Sequence, residues 1–166
     1  MGLLPEDRQN GGLILDFEIY KNVTLSNLNN ITNPFWIKKQ NEIEVAETFS
    51  KRLNVKARDV YQKVSNLSGG NQQKVVFAKI LTSFLKVVIL DEPTKGVDVG
   101  AKTAIYELMG EMAEKGYAVI LISSEMPEVL GMSDRIFVVK EGRITAELTT
   151  SESNQEDILK YSMLNN

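Results

Sequence analysis

Apolar positions recur along this chain with two different periods, and the changes of period mark its elements. Ile105, Leu108, Met109 and Met112 fall at i, i+3, i+4 and i+7, the stripe of a helix that buries one face. Asp98 stands where such a helix takes its N-cap and Gly116 where it stops, so a helix is predicted over about 99–115. Ile43, Ala46, Phe49 or Ser50, and Leu53 give a second stripe over about 41–53. A third helix, over about 17–28, turns Ile19 and Val23 to one side. The run after Ser68 is apolar on most faces, which predicts a well-buried helix reaching to about Phe84. Val87-Val88-Ile89-Leu90 breaks this period: an unbroken, β-branched run is the pattern of a strand buried on both faces, as in a parallel sheet. Residues 117–122 read as a second buried strand. Residues 135–140 and 143–148 read as two strands joined at Glu141-Gly142, a hairpin signal.

The remaining pieces are shorter. Leu3 and Leu4 end a strand that Pro5 breaks. Asn10-Gly11-Gly12 is a turn, residues 29–34 a loop, and residues 54–65 a mixed connector. Phe35 and Trp36 beside Lys38 and Lys39 read as a local hydrophobic anchor rather than a nucleic-acid contact. Pro127 opens a short helix that Gly131 ends. Ser153 with Glu156 forms a capping box for a last helix carrying Ile158, Leu159 and Met163.

Composition narrows the chemistry. The 166 residues are 43% apolar, enough for one packed core, and contain no cysteine, which removes disulfides and thiolate zinc sites. No histidine is present, so the commonest general base is missing. A net charge of −3 without a basic block argues against nucleic acid. No signal peptide or apolar run long enough to span a bilayer is seen, so the expected place is the cytosol.

Two stretches carry chemistry. Leu67-Ser68-Gly69-Gly70, followed by Asn71, opens a helix at Ser68, and a helix N-terminus offers unpaired N–H groups and the positive dipole end to an anion. Alone, this is an ordinary Gly-rich start of a helix. Asp91-Glu92-Pro93 leaves the end of the buried strand, where ligands of parallel sheets bind. Asp91 could hold Mg²⁺ through water and Glu92 could polarise an attacking water. Alone, this is an acidic strand exit.

In order and together, these motifs resemble an ABC ATPase. LSGGNQQK, ILDEPTKGVDVGAK and ILISSEMPEVLGMSDRI are similar to the second nucleotide-binding domain of tandem monosaccharide importer ATPases of the ribose/galactose/xylose type. So is Leu4-Pro5-Glu6-Asp7-Arg8, and the resemblance runs from about Gly2 to about Leu148. It implies an α/β fold: an incomplete P-loop ABC ATPase domain whose parallel core sheet lacks the Walker A strand, plus a helical signature subdomain. The implied divisions are 1–11 for the Q-loop strand and Q-loop, 12–65 for the helical subdomain, 66–150 for the core, and 151–166 for a helical tail. The resemblance places Ser68, Gly69, Gly70 and Asn71 at the nucleotide-binding signature. It places Glu6 at the Q-loop position, where most relatives carry glutamine, and Asp98 in the D-loop. Asp91 becomes the metal residue and Glu92 the catalytic one, and Ser124 takes the switch-histidine position, where a serine hydroxyl replaces that bridge only partly.

No G-x-x-x-x-G-K-[ST] occurs in the 166 residues. The resemblance therefore implies the C-terminal part of a sugar-importer ATPase, a cloned fragment or a truncated gene product. It would lend its signature to a partner's ATP and Mg²⁺ site, binding neither alone. The implied partners are another nucleotide-binding domain and a membrane permease, which would hold the chain peripherally at the inner face of the cell membrane. Open strand edges at 117–122 or 135–140 predict homo-oligomers. The other readings are a self-sufficient ATPase, against which the missing Walker A stands, and a DNA-repair or chromosome ATPase, against which the PEDR and SSEMPEV segments stand. A non-enzymatic module docking on a permease or ATPase partner is the third. The sugar itself is not legible.

Overall fold

A computed structural model describes residues 1–28, 38–83 and 85–163. The loop read at 29–34, the Phe35-Trp36 anchor and the helix end at Phe84 lie outside them. The chain divides into two compact units, Met1–Ile120 and Leu121–Asn166.

In the first unit, strand β1 (Gly2–Leu4) runs parallel to β2 (Val87–Asp91), with Gly2 opposite Val88 and Leu4 opposite Leu90. Strand β3 (Ala118–Ile122) completes the order β1-β2-β3. Leu4, Val88 and Leu90 are wholly buried on one face of this sheet, whereas Ile89 is only half-buried. The doubly buried strand expected at 87–90 is thus covered fully on one side. The correction is larger for 117–122. There β3 is the last strand of its sheet among the described residues, and Ile120 is 48% exposed.

Helices α1 (Ile19–Thr24), α2 (Lys39–Arg52), α3 (Gly69–Leu81) and α4 (Val99–Glu114) supply the rest of the core. The expected stripes are the buried ones: Ile19 and Val23 on α1, Ile43 and Ala46 on α2, and Ile105, Leu108, Met109 and Met112 on α4. Helix α1 is shorter than its period suggested and passes into a 3-10 turn, Leu25–Asn27. Its buried Asn22 explains the start. The amide oxygen accepts from Ile14 N at 2.8 Å, and the amide nitrogen donates to Ile14 O at 3.0 Å. One side chain thereby satisfies the backbone of the preceding loop. The 54–65 connector is ordered by backbone pairing to the same loop: Ile19 N donates to Gln62 O and Val64 N to Phe17 O.

In the second unit, α5 runs over Met126–Met132, one residue beyond the expected Pro127 and Gly131 at each end, with Pro127 in its first turn. Strands β4 (Arg135–Lys140) and β5 (Arg143–Thr149) form an antiparallel hairpin. Glu141 at φ +48° and Gly142 at φ +77° make the tight turn between them. Helix α6 (Gln155–Met163) follows, and Thr145 Oγ1 on the hairpin donates to Tyr161 O on the helix. Its capping box lies one residue beyond the expected one. Asn154 Oδ1 accepts from the amides of Glu156 and Asp157, and Asp157 Oδ2 accepts from Asn154 N, while Ser153 Oγ turns back to Thr149 O.

Candidate functional site at the start of helix α3

Every residue of this site belongs to the first unit except Ser124. Ser68 is the residue before α3, extended at φ −63° and ψ 157°, and exposed. Its hydroxyl does not cap the helix backbone. It accepts from Asn71 Nδ2 at 2.8 Å, while Asn71 Oδ1 accepts from Lys56 N at 2.7 Å. Both ends of the Asn71 amide are therefore committed to holding the turn, and the first amides of the helix have no partner within it.

Two glycines allow close approach. A Cβ on Gly70 would stand 3.0 Å from Ala101 Cβ and 3.7 Å from Asp98 Oδ2, and one on Gly69 would stand 2.8 Å from Arg8 Nη2. Asp98 does cap α4, accepting from Ala101 N at 2.9 Å. The signature turn and the loop before α4 are thus packed on each other.

Asp91 and Glu92 end β2. Asp91 is half-buried, and Glu92 takes the left-handed conformation at φ +48°, which L-residues adopt at some cost and which recurs at functional sites. The turn that follows is closed by Lys95 N donating to Glu92 O at 3.1 Å. It is anchored to α3 by Gln73, whose buried amide donates to Pro93 O at 2.8 Å. Gln73 was not singled out from the sequence, yet the signal existed. Counting i+3, i+4 and i+7 from it reaches Val76, Phe77 and Ile80, all buried.

The turn at 5–8 is exposed at Glu6 and Asp7 but locally ordered. Asp7 caps a π-helical turn, Arg8–Gly12, accepting from Gln9 N and Asn10 N. The Asn10 amide, with these backbone donors, holds its carboxyl below the usual range. Glu6 accepts from Lys95 Nζ at 2.5 Å, and this bond, chiefly, raises the Lys95 ammonium above its ordinary value. With side chains 61% and 52% exposed, the pair contributes little to stability. It does place Glu6 against the 92–98 loop. Arg8 Nη1 donates to Lys95 O at 3.1 Å. Neither Arg8 nor Lys95 was marked as functional beforehand, because their meeting spans 87 residues of chain.

Ser124 lies in the second unit. The hydroxyl of its neighbour Ser123 donates to the buried Glu128 carboxylate and accepts from Glu125 N at 3.0 Å.

The comparisons with known proteins agree with these motifs. The ribose import ATP-binding protein RbsA of Oceanobacillus iheyensis is 51% identical over 162 residues, which make up 98% of this chain and 33% of the relative. The xylose import ATP-binding protein XylG of Moorella thermoacetica is 49% identical over 159 residues, 96% of this chain and 31% of the relative. The chain spans about a third of the length of these curated relatives. Among solved structures, the dimeric post-hydrolysis ATP-binding cassette MJ0796 bound to ADP and Pi matches in fold. The TM-score is 0.74 at 23% identity, covering 90% of this chain and 62% of that one. The family model described as "ABC transporter" matches residues 6–95, more than half of the sequence, and the chain belongs to that family.

Proposed function

We propose that this chain serves a sugar-import ATPase as the donor of a signature turn, closing an ATP site whose phosphate-binding loop is carried by another nucleotide-binding domain. The observation that carries the reading is the start of α3, with Ser68 exposed, Gly69 half-buried and Gly70 packed on the loop before α4, in a sequence without a Walker A motif. A helix N-terminus held in this way meets a phosphate with unpaired amides and a favourable dipole. Asp98 would face the same nucleotide from the adjoining loop. Asp91 fits a Mg²⁺ ion held mostly by water and phosphate oxygens. Among the described residues no group of three His, Cys, Asp or Glu side chains could form an all-protein cage. In the complete assembly Glu92 would orient the attacking water, and Ser124 would stand at the switch position. A permease would hold the assembly at the inner face of the cell membrane. Among the described residues no helix is long and apolar enough to cross a membrane.

The test is phosphate release from Mg-ATP. The chain alone is expected to give no release that depends on Glu92. Mixed with a Walker A-bearing nucleotide-binding domain of a related importer, it is expected to raise that domain's rate. A rate from the chain alone that disappears in Glu92→Gln would overturn the reading. No stimulation of the partner would favour a docking module without a nucleotide role.

The sheet adds a second expectation. Exposed Ile120 on the terminal strand β3, and exposed Phe137 and Val139 on β4, leave apolar strand surface open to further pairing. Sedimentation velocity of the chain alone is expected to show association that grows with concentration. A monomer at all concentrations tested would rule it out.

A further inference from the structure

We propose that Arg8 is a positioning residue that sets the gap between the signature turn and the loop at 95–98, so that both face a nucleotide as one rigid unit. Its consequence for hydrolysis rests on the proposed function; its structural role does not.

The guanidinium lies in a slot walled by two glycines from distant parts of the chain. Nη2 is 2.8 Å from where a Cβ on Gly69 would stand, and Nη2 and Nη1 are 3.8 and 4.0 Å from where one on Gly96 would stand. Gly96 itself is at φ +68°, so a side chain is disfavoured there on backbone grounds as well. Nη1 holds the loop by its bond to Lys95 O at 3.1 Å. The Nε atom is buried without a hydrogen-bond partner among the described residues. An arginine present only as surface charge would turn that donor to water; here it is desolvated to keep the planar fork in the slot. The fork is wide enough to touch both loops at once. The single ammonium of a lysine is not.

Hydrogen exchange on the 166-residue chain tests the role directly. The reporters are the amides of Gln72, bonded to Ser68 O, and Lys95, bonded to Glu92 O. Arg8→Ala is expected to speed exchange about tenfold at both, with the amides of Val76 to Ile80 in α3 unchanged. Arg8→Lys should recover part of the protection at Lys95 and little at Gln72. Gly69→Ala should copy Arg8→Ala, because its methyl displaces the guanidinium, and the double variant should be no worse than either single one. Should Arg8→Ala fail to fold, Arg8→Gln carries the same comparison. Acceleration confined to one loop, or additive effects of the two substitutions, would overturn the proposal.

A second measurement separates this role from the proposed function. With a Walker A-bearing partner domain and Mg-ATP, Arg8→Ala should raise the concentration of chain giving half-maximal stimulation about tenfold and leave the maximal rate near that of the unsubstituted chain. An unchanged half-maximal concentration counts against the positioning role. If the unsubstituted chain stimulates nothing, the trans-site reading falls, while the exchange pattern still decides what Arg8 does.

Discussion

Ser68→Arg is expected to lower ATP hydrolysis by the assembled pair by at least about a hundredfold, comparable to losing a donor from an oxyanion-binding site. Ser68 is exposed at the start of α3, and its hydroxyl takes the Asn71 amide proton at 2.8 Å. Arginine removes that acceptor, so Asn71 loses one of the two bonds that fix the turn. It also lays a long side chain across the amides that would meet a phosphate. Gly69→Asp should be equally damaging for another reason. Its carboxylate would bring negative charge to the phosphate, and its Cβ would stand 2.8 Å from Arg8 Nη2. Ser68→Ala is the control, losing the hydroxyl but adding no bulk, and should fall between Ser68→Arg and the unsubstituted chain. The readout is phosphate release in the presence of the partner domain. Rates for Ser68→Arg within twofold of the unsubstituted chain would mean that this turn does not face the nucleotide.

Phe77→Ala is expected to destabilise the first unit by about 3–5 kcal/mol, through lost transfer energy and the cavity left behind. Among the described residues Phe77 is the largest wholly buried side chain, and it lies in the middle of α3. Domains of this size have about 5–15 kcal/mol in total, so the loss is a large share. Phe77 lies beneath a surface cleft of about 200 Å³ whose walls include Arg52, Lys74, Glu107 and Leu108, and packs fully buried against the core. Urea denaturation followed by circular dichroism measures the change in midpoint. A loss below about 1 kcal/mol would show that α3 is not the centre of this core.

The site was legible where its meaning is local. Asp98 caps a helix because an aspartate before an apolar stripe can accept the first amides, wherever the helix is then placed. The hairpin turn at Glu141-Gly142 is likewise set by two residues that accept positive φ. The capping box of α6 shows the limit of such reading. Ser153 and Glu156 had the right spacing, but Asn154 and Asp157 had it too, and only the path of the chain chose between them.

What depended on distant partners could not be read in advance. The buried face of α3 pointed to Gln73, but not to its partner, the carbonyl of Pro93 twenty residues on. Residues 117–122 have the composition of a covered strand, yet composition cannot say how many strands lie beside it. In the structure β3 ends its sheet, and Ile120 is exposed. The sequence by itself determined where the main helices lie, most of their buried faces, the Asp98 cap and the order of the motifs, because periodicity and local capping are settled within a few residues. Only the tertiary structure decided that Arg8 and Glu6 would close on Lys95 and that the signature turn would rest on the loop before α4. The Arg8 and Glu6 contacts join segments 87 and 89 residues apart, and no local preference encodes which of the many possible partners a charged side chain will meet.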